Sequence, residues 1–242
     1  MIESILLTTV RISTLQRGSP LTNASGFFFQ RDERLFLVTS RHVVFDTESR
    51  HEPDQIEIEL HTRADDFGQS TGFSIPLYRD GLSLWREAHD SAGPVDVAII
   101  EIERGALPPH AVYCALTPQH LPESFERIEV GTSLLVVGFP LGFHDTLHHL
   151  PVVRQAVIAS SFGLRFQGQG YFLTDARTHR GTSGAPVVMR KAGGDALQVE
   201  LPWILLGIHS ARLDVGSRDQ KVDEALGLNC AWYADILMAL SE

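Results

Sequence analysis

Ala24-Ser25-Gly26-Phe27-Phe28-Phe29-Gln30, a short polar break, and Leu35-Phe36-Leu37-Val38-Thr39 are two brief runs of aromatic and branched residues with no helix between them. Runs of this composition, bounded by Gly, Asp or Pro, read as strands. The pattern continues outward. Ser4 to Leu15, Gln55 to His61, Gly72 to Tyr78 and Val95 to Ile102 complete a first set. Thr132 to Phe139, Val152 to Ser160, Gly170 to Thr174, Ala185 to Met189, Ala196 to Ile208 and Ala225 to Trp232 form a second. Only the C-terminus holds a helical period, where Ala234, Ile236, Leu237 and Leu240 share one face of a closing helix over 233–241. Regularly spaced short strands without intervening helices argue for an all-β protein of closed or sandwiched antiparallel sheets, not for a βαβ fold. Leu107-Pro108-Pro109 and the stretch Pro118 to Glu126 interrupt the series. The two halves, 1–118 and 119–242, are therefore expected to be two antiparallel β-barrels.

The 242 residues are 43% hydrophobic and 21% charged, a composition that excludes disorder, collagen and coiled coil. Against 30 acidic residues stand 20 Lys and Arg, a formal charge of −10 with no basic stripe, which argues against a nucleic-acid partner or an anionic membrane surface. No apolar run approaches the roughly 18 residues of a membrane span. At the start, Glu3 and the short, Thr-rich stretch Ile5 to Val10 do not fit a signal peptide. Cys114 and Cys230 each lie in an apolar run and read as buried free thiols. The expectation is a soluble, cytoplasmic protein that begins with its first strand.

Arg180-Gly181-Thr182-Ser183-Gly184-Ala185-Pro186-Val187 carries the most chemical information. Glycines on both sides of a serine permit a tight turn that exposes the hydroxyl and leaves amides pointing at whatever it attacks. A serine hydroxyl is a poor nucleophile near neutral pH unless a base takes its proton and a carboxylate orients that base. Phe36-Leu37-Val38-Thr39-Ser40-Arg41-His42-Val43-Val44 places His42 just after an apolar strand, at a barrel's edge. Val95-Asp96-Val97-Ala98-Ile99-Ile100 places Asp96 at the head of another, with no evident partner in its own segment.

These strings, in the order His, Asp, Ser and separated by 54 and 87 positions, resemble the trypsin-like serine peptidases of the chymotrypsin fold, in the bacterial style of the HtrA and glutamyl endopeptidase relatives. Thr174-Asp175-Ala176, Ser25-Gly26-Phe27, Val137-Gly138-Phe139-Pro140 and Leu206-Gly207-Ile208-His209-Ser210 extend the likeness over essentially the whole chain. The resemblance implies a double β-barrel with His42 as general base and then acid, Asp96 as its orienting carboxylate and Ser183 as nucleophile. It further implies an oxyanion hole from the amides of Gly181 and Ser183, and Ser210 as a helper donating to Asp96. The implied activity is hydrolysis of peptide bonds in a protein or peptide substrate through an acyl-enzyme, with no cofactor. A regulatory protein partner that orders the oxyanion loop is a control common in this fold.

Departures from the family carry information too. Thr182 stands where digestive-type members place an Asp that pairs with a newly cleaved N-terminus, so proteolytic activation is not expected. Arg41 and Val43 flank His42 where secreted relatives have alanine and a half-cystine, and a PDZ-like module after the closing helix is not expected. Thr178 and His209 match positions that bind the substrate carboxylate in glutamyl endopeptidases. Arg177 and Arg212 nearby would add charge, which suits cleavage after Glu or Asp; the alternative is that His209 is an ordinary strand histidine and the pocket accepts small apolar residues. His144, His148 and His149 are bracketed by Gly142 and Pro151 as a loop, and no metal site is expected from that spacing. A rival from another class is a protease-like binding module that keeps the groove without turnover. An esterase with the same triad is disfavoured, because the Gly-x-Ser-x-Gly elbow and the order Ser, acid, His are both missing.

Overall fold

Phe27, Phe28 and Phe29 are all completely buried, which a sheet with one solvated face does not allow. Their strand is covered on both sides. Phe28 packs with Ile12, Leu35, Leu37, Ile56 and Ile58 inside one barrel. Phe27 and Phe29 turn the other way, into a cluster with Val137, Val188, Leu205 and Trp232 that joins the two halves of the molecule. The same division by parity sends Leu35 and Leu37 inward and Phe36 and Val38 to the junction, and Ala98 and Ile100 inward while Val97 and Ile99 face the junction. Period-2 alternation thus explains continuous apolar runs once both faces are dry.

The computed structural model describes residues 2–126, 128–191, 201–212 and 227–242. Among these, a first antiparallel sheet contains β1 (Thr9–Gln16), β2 (Ser19–Arg31), β3 (Arg34–Thr39), β4 (Gln55–His61), β5 (Ser70–Pro76), β8 (Trp85–Asp90) and β9 (Gly93–Ile102), in the order β5-β4-β1-β2-β3-β9-β8. The pair β6 (Tyr78–Arg79) and β7 (Leu82–Ser83) forms a small separate hairpin. A second sheet contains β10 (Ser133–Gly138), β11 (Val152–Val157), β12 (Tyr171–Thr174), β13 (Pro186–Arg190), β14 (Trp203–Arg212) and β15 (Asn229–Tyr233), in the order β11-β10-β13-β14-β15-β12. Leu134, Val136, Ile158, Phe162, Phe172 and Leu206 fill its interior. The architecture is the expected all-β, chymotrypsin-like one with a small C-terminal helix.

Several elements differ from the reading of the sequence. Ser4–Thr8 is a 3₁₀ turn, so the first strand begins at Thr9; the turn is closed by the Thr8 hydroxyl donating to the Ile5 carbonyl at 2.7 Å. β8 was not foreseen, because as an edge strand it exposes Arg86, Glu87 and His89 and shows no apolar alternation. The strand expected over Ala196 to Ile208 begins at Trp203, and residues 192–200 lie outside the described residues. So does the first part of the strand expected over Ala225 to Trp232. Tyr233 completes β15, and the closing helix is shorter than expected, Ile236–Leu240. Leu237 and Leu240 are buried there while Ile236 is half-buried. Neither Cys114 nor Cys230 is in a disulfide; Cys230 is buried as expected and Cys114 only half-buried.

Candidate active site

Register places the first two chemical groups. Thr39 at the end of β3 lies opposite Ala98 of β9, so the chain beyond Thr39 runs back past Val97 and Asp96. It turns there as the single helical turn α1 (Arg41–Val44). The Asp96 carboxylate receives that turn twice, from the His42 backbone N–H at 2.9 Å and from His42 Nδ1 at 2.7 Å. With Nδ1 facing a carboxylate, the proton resides on Nδ1 and Nε2 keeps its lone pair. The His42 side chain keeps 37% of its surface exposed, so the imidazole is not sealed from solvent. Burial by itself lowers the His42 pKa; the Asp96 hydrogen bond and charge, with the Asp46 charge added, outweigh it and hold the imidazole above the ordinary histidine value.

The serine is positioned by β13 and β14. Pro186 faces Ile208 and Val187 faces Gly207, and the ladder continues past the strand ends as His209 N–H to the Ala185 carbonyl at 2.9 Å and Gly184 N–H to the His209 carbonyl at 2.7 Å. Ser183 is thereby set beside Ser210. Its hydroxyl donates to the Ser210 carbonyl at 3.0 Å, so in this rotamer the proton is directed there and not at His42. The Ser210 hydroxyl in turn donates to Asp96 Oδ2. His42, Asp96, Ser210 and Ser183, drawn from both sheets, form one hydrogen-bonded chain.

Gly181 adopts φ +90°, and a Cβ there would meet the Phe139 carbonyl oxygen at 2.6 Å and the Leu141 nitrogen at 2.9 Å. Glycine is required at this point for both reasons. Gly184, at φ +85°, is equally constrained, since a Cβ would collide with the Ser25 carbonyl and the Thr39 hydroxyl. Within the turn, Thr182 N–H is donated to the His179 carbonyl and Ala185 N–H to the Thr182 carbonyl. Among the described residues no acceptor is paired with the amides of Gly181 and Ser183.

Ser25, on β2, is a site residue whose role the sequence did not disclose. Its hydroxyl donates to the Gly181 carbonyl at 2.8 Å and accepts from Phe139 N–H at 3.0 Å, and its own N–H donates to the Ser183 carbonyl at 2.9 Å. One buried serine of the first sheet thus grips the serine turn of the second. Asn229 was missed as well. Thr178 is buried and donates its hydroxyl to Asn229 Oδ1 at 2.6 Å, while the Asn229 amide donates to the Ala176 carbonyl. His209 is buried, with its carbonyl also accepting from the Ser40 hydroxyl at 3.2 Å. Arg177 is exposed. Arg212 pairs with Asn229 at the end of β14, and its side chain lies outside what the structure describes.

Cys230 is poorly suited to act as a nucleophile: burial pushes its thiol up to about 11, a hydrogen bond with Tyr171 opposes the rise and the Asp96 charge adds to it. Among the described residues no helix is long and apolar enough to cross a membrane.

Residues 24–194 match the family model of the trypsin-like peptidase domain. No curated protein matches the sequence significantly. Among solved structures the fold is similar to a serine endoprotease from Yersinia pestis, with a TM-score of 0.54 and 16% identity, covering 98% of this chain. The chain spans 62% of the length of that enzyme's chain.

Proposed function

The chain belongs to the trypsin-like peptidase domain family, and from that premise we propose that it is a serine endopeptidase whose nucleophile is Ser183, whose base is His42 and whose orienting carboxylate is Asp96. The observation that carries this reading is the His42–Asp96 pair, with Nδ1 engaged at 2.7 Å, joined through Ser210 to the Ser183 hydroxyl. For attack, Ser183 turns about χ1 off the Ser210 carbonyl and presents its proton to His42 Nε2, a side-chain hop that takes ps–ns. Its oxygen adds to the scissile carbonyl as His42 accepts the proton. Asp96 holds the resulting imidazolium. The developing oxyanion takes hydrogen bonds from the Gly181 and Ser183 amides, which the turn itself does not consume. His42 then protonates the leaving amine, and water repeats the sequence in reverse to release the acyl group.

A finer reading concerns the residue before the scissile bond. Thr178, five positions before Ser183, and His209, both buried, support a preference for Glu or Asp. Holding a carboxylate there requires the Thr178 hydroxyl to rotate off Asn229.

The rival, a binding module without turnover, draws on the Ser183 proton being directed at Ser210. A fluorophosphonate probe followed by intact-mass measurement separates the two. One adduct on the folded chain, absent in Ser183→Ala, is the expected result, and a folded chain that takes no label favours the binding module.

A further inference from the structure

The loop over 142–151 was read from the sequence as solvated and without a metal role. The structure gives two of its histidines a third partner from the other sheet. We propose that Glu59, His144 and His149 form a binding site for a late first-row divalent cation, zinc foremost. Their donor atoms lie within 4.8 Å of one another and all three residues are half-buried. Two imidazoles and one carboxylate are a donor set that zinc accepts in tetrahedral geometry, with water in the fourth position, and that calcium and magnesium, which favour all-oxygen ligands, do not.

Each ligand is prepared. His144 Nδ1 lies 2.7 Å from the Gly142 carbonyl, so Nδ1 carries the proton and Nε2 is left with the lone pair a metal needs. His149 Nδ1 lies 2.9 Å from Glu59 Oε1 yet makes no hydrogen bond, so it is a buried nitrogen that a cation between the two groups would satisfy. Glu59 is oriented by the Ser70 hydroxyl at 2.8 Å on Oε1 and by Arg11 at 3.4 Å on Oε2. His148 lies outside the cluster: its Nδ1 is turned to Asp145 at 2.7 Å, and the donor atoms that gather within 4.8 Å of one another are those of Glu59, His144 and His149. Asp145 also accepts the amides of Leu147 and His148, and its own amide donates to the Leu150 carbonyl, so the turn that separates His144 from His149 is braced from within. Ligand atoms about 2.0–2.2 Å from a tetrahedral zinc stand roughly 3.3–3.5 Å apart, so the widest pair closes by at most about 1.5 Å on binding.

The cation would tie β4 of the first sheet to the loop of the second that begins at Leu141. Leu141 N–H is bonded to the Arg180 carbonyl at 2.5 Å, and Leu141 and Gly142 both back onto Gly181. On the peptidase reading, the same cation would stiffen the wall behind the oxyanion amides.

The test uses the full chain carrying Ser183→Ala, so that neither self-digestion nor the peptidase reading bears on the outcome. After chelator treatment, calorimetric titration with Zn²⁺ is expected to give one site per chain, and a hundredfold excess over Kd to raise Tm by roughly 5–10 °C. Glu59→Gln and His149→Gln are each expected to weaken binding at least tenfold. Co²⁺ added to the unmutated chain is a reading that needs no variant, and the strong visible absorption of a four-coordinate ion is expected. Weak six-coordinate absorption, no saturable Zn²⁺ uptake, or uptake unchanged in both variants would overturn the site.

Discussion

The Ser25 hydroxyl donates to the Gly181 carbonyl at 2.8 Å across 156 positions of sequence, and the same oxygen accepts the Phe139 amide. Two loops of the second sheet are thereby held by one side chain of the first. Ser25→Ala leaves a buried carbonyl and a buried amide without partners, and a cost of about 1–3 kcal/mol in stability is expected. Because the Gly181 carbonyl belongs to the peptide that ends in the Thr182 amide, next to the proposed oxyanion donors, kcat is expected to fall while KM changes little. Thermal melts and steady-state kinetics on one peptide check both.

Gly181→Ala meets a closed wall. The Phe139 carbonyl and the Leu141 nitrogen are backbone atoms that cannot swing aside, and φ +90° disfavours any side chain. The turn must shift, and removal of one oxyanion donor of this kind costs about 10²–10³ in kcat. Fluorophosphonate labelling is expected to slow in proportion.

Thr182 occupies the place where digestive relatives carry an acid, and its hydroxyl oxygen is buried with no partner among the described residues. Thr182→Val removes an unpaired hydroxyl at nearly constant shape. A gain of about 1 kcal/mol in stability with activity retained is expected, as denaturant midpoints would show.

His42 must be neutral to act as a base, and Asp96 with Asp46 raises its pKa against the lowering effect of burial. The acid limb of kcat/KM is therefore expected above the ordinary histidine midpoint of about 6.5. Asp96→Asn removes the largest raising contributions, so that limb moves to lower pH while kcat drops by about 10⁴ through loss of the tautomer lock. The sign for stability is the opposite of that for activity. A raised folded-state pKa stabilises the protein fully below about 6.5, and that contribution disappears as pH rises through the His42 value. An acid limb at or below 6.5 in the parent chain would contradict the assignment.

For the pocket, Thr178→Val deletes the hydroxyl now bonded to Asn229. If that hydroxyl holds a substrate carboxylate, kcat/KM for a peptide with Glu before the scissile bond falls about 10–100-fold while the matched Ala peptide is unaffected. Equal turnover of Glu, Ala and Arg peptides by the parent chain would remove the acidic preference.

Much of the fold was legible because burial on both faces leaves a continuous apolar run, and Phe27 to Phe29 and Val97 to Ile100 are such runs. The serine turn was legible because glycines at 181 and 184 mark a backbone that no other residue permits. Edge strand β8 was not, since solvent on its outer side removes the alternation that betrays a strand. Ser25 and Asn229 are small polar residues of ordinary appearance, and their importance lies in what the fold brings to them.

Local composition was enough to mark short strands, a glycine-bracketed serine turn, and a histidine and an aspartate each beside an apolar strand, because each of these is a property of a few neighbouring residues. Distances between segments are not local properties. Strand register within each sheet decided that His42 meets Asp96 and that Ser183 rests its proton on Ser210, and only the packing of the two sheets decided that Ser25 clamps Gly181 and that Glu59 faces His149. The physical reason is that strand register and the shared core place those side chains, and a one-residue slip in either would point each of them at a different neighbour.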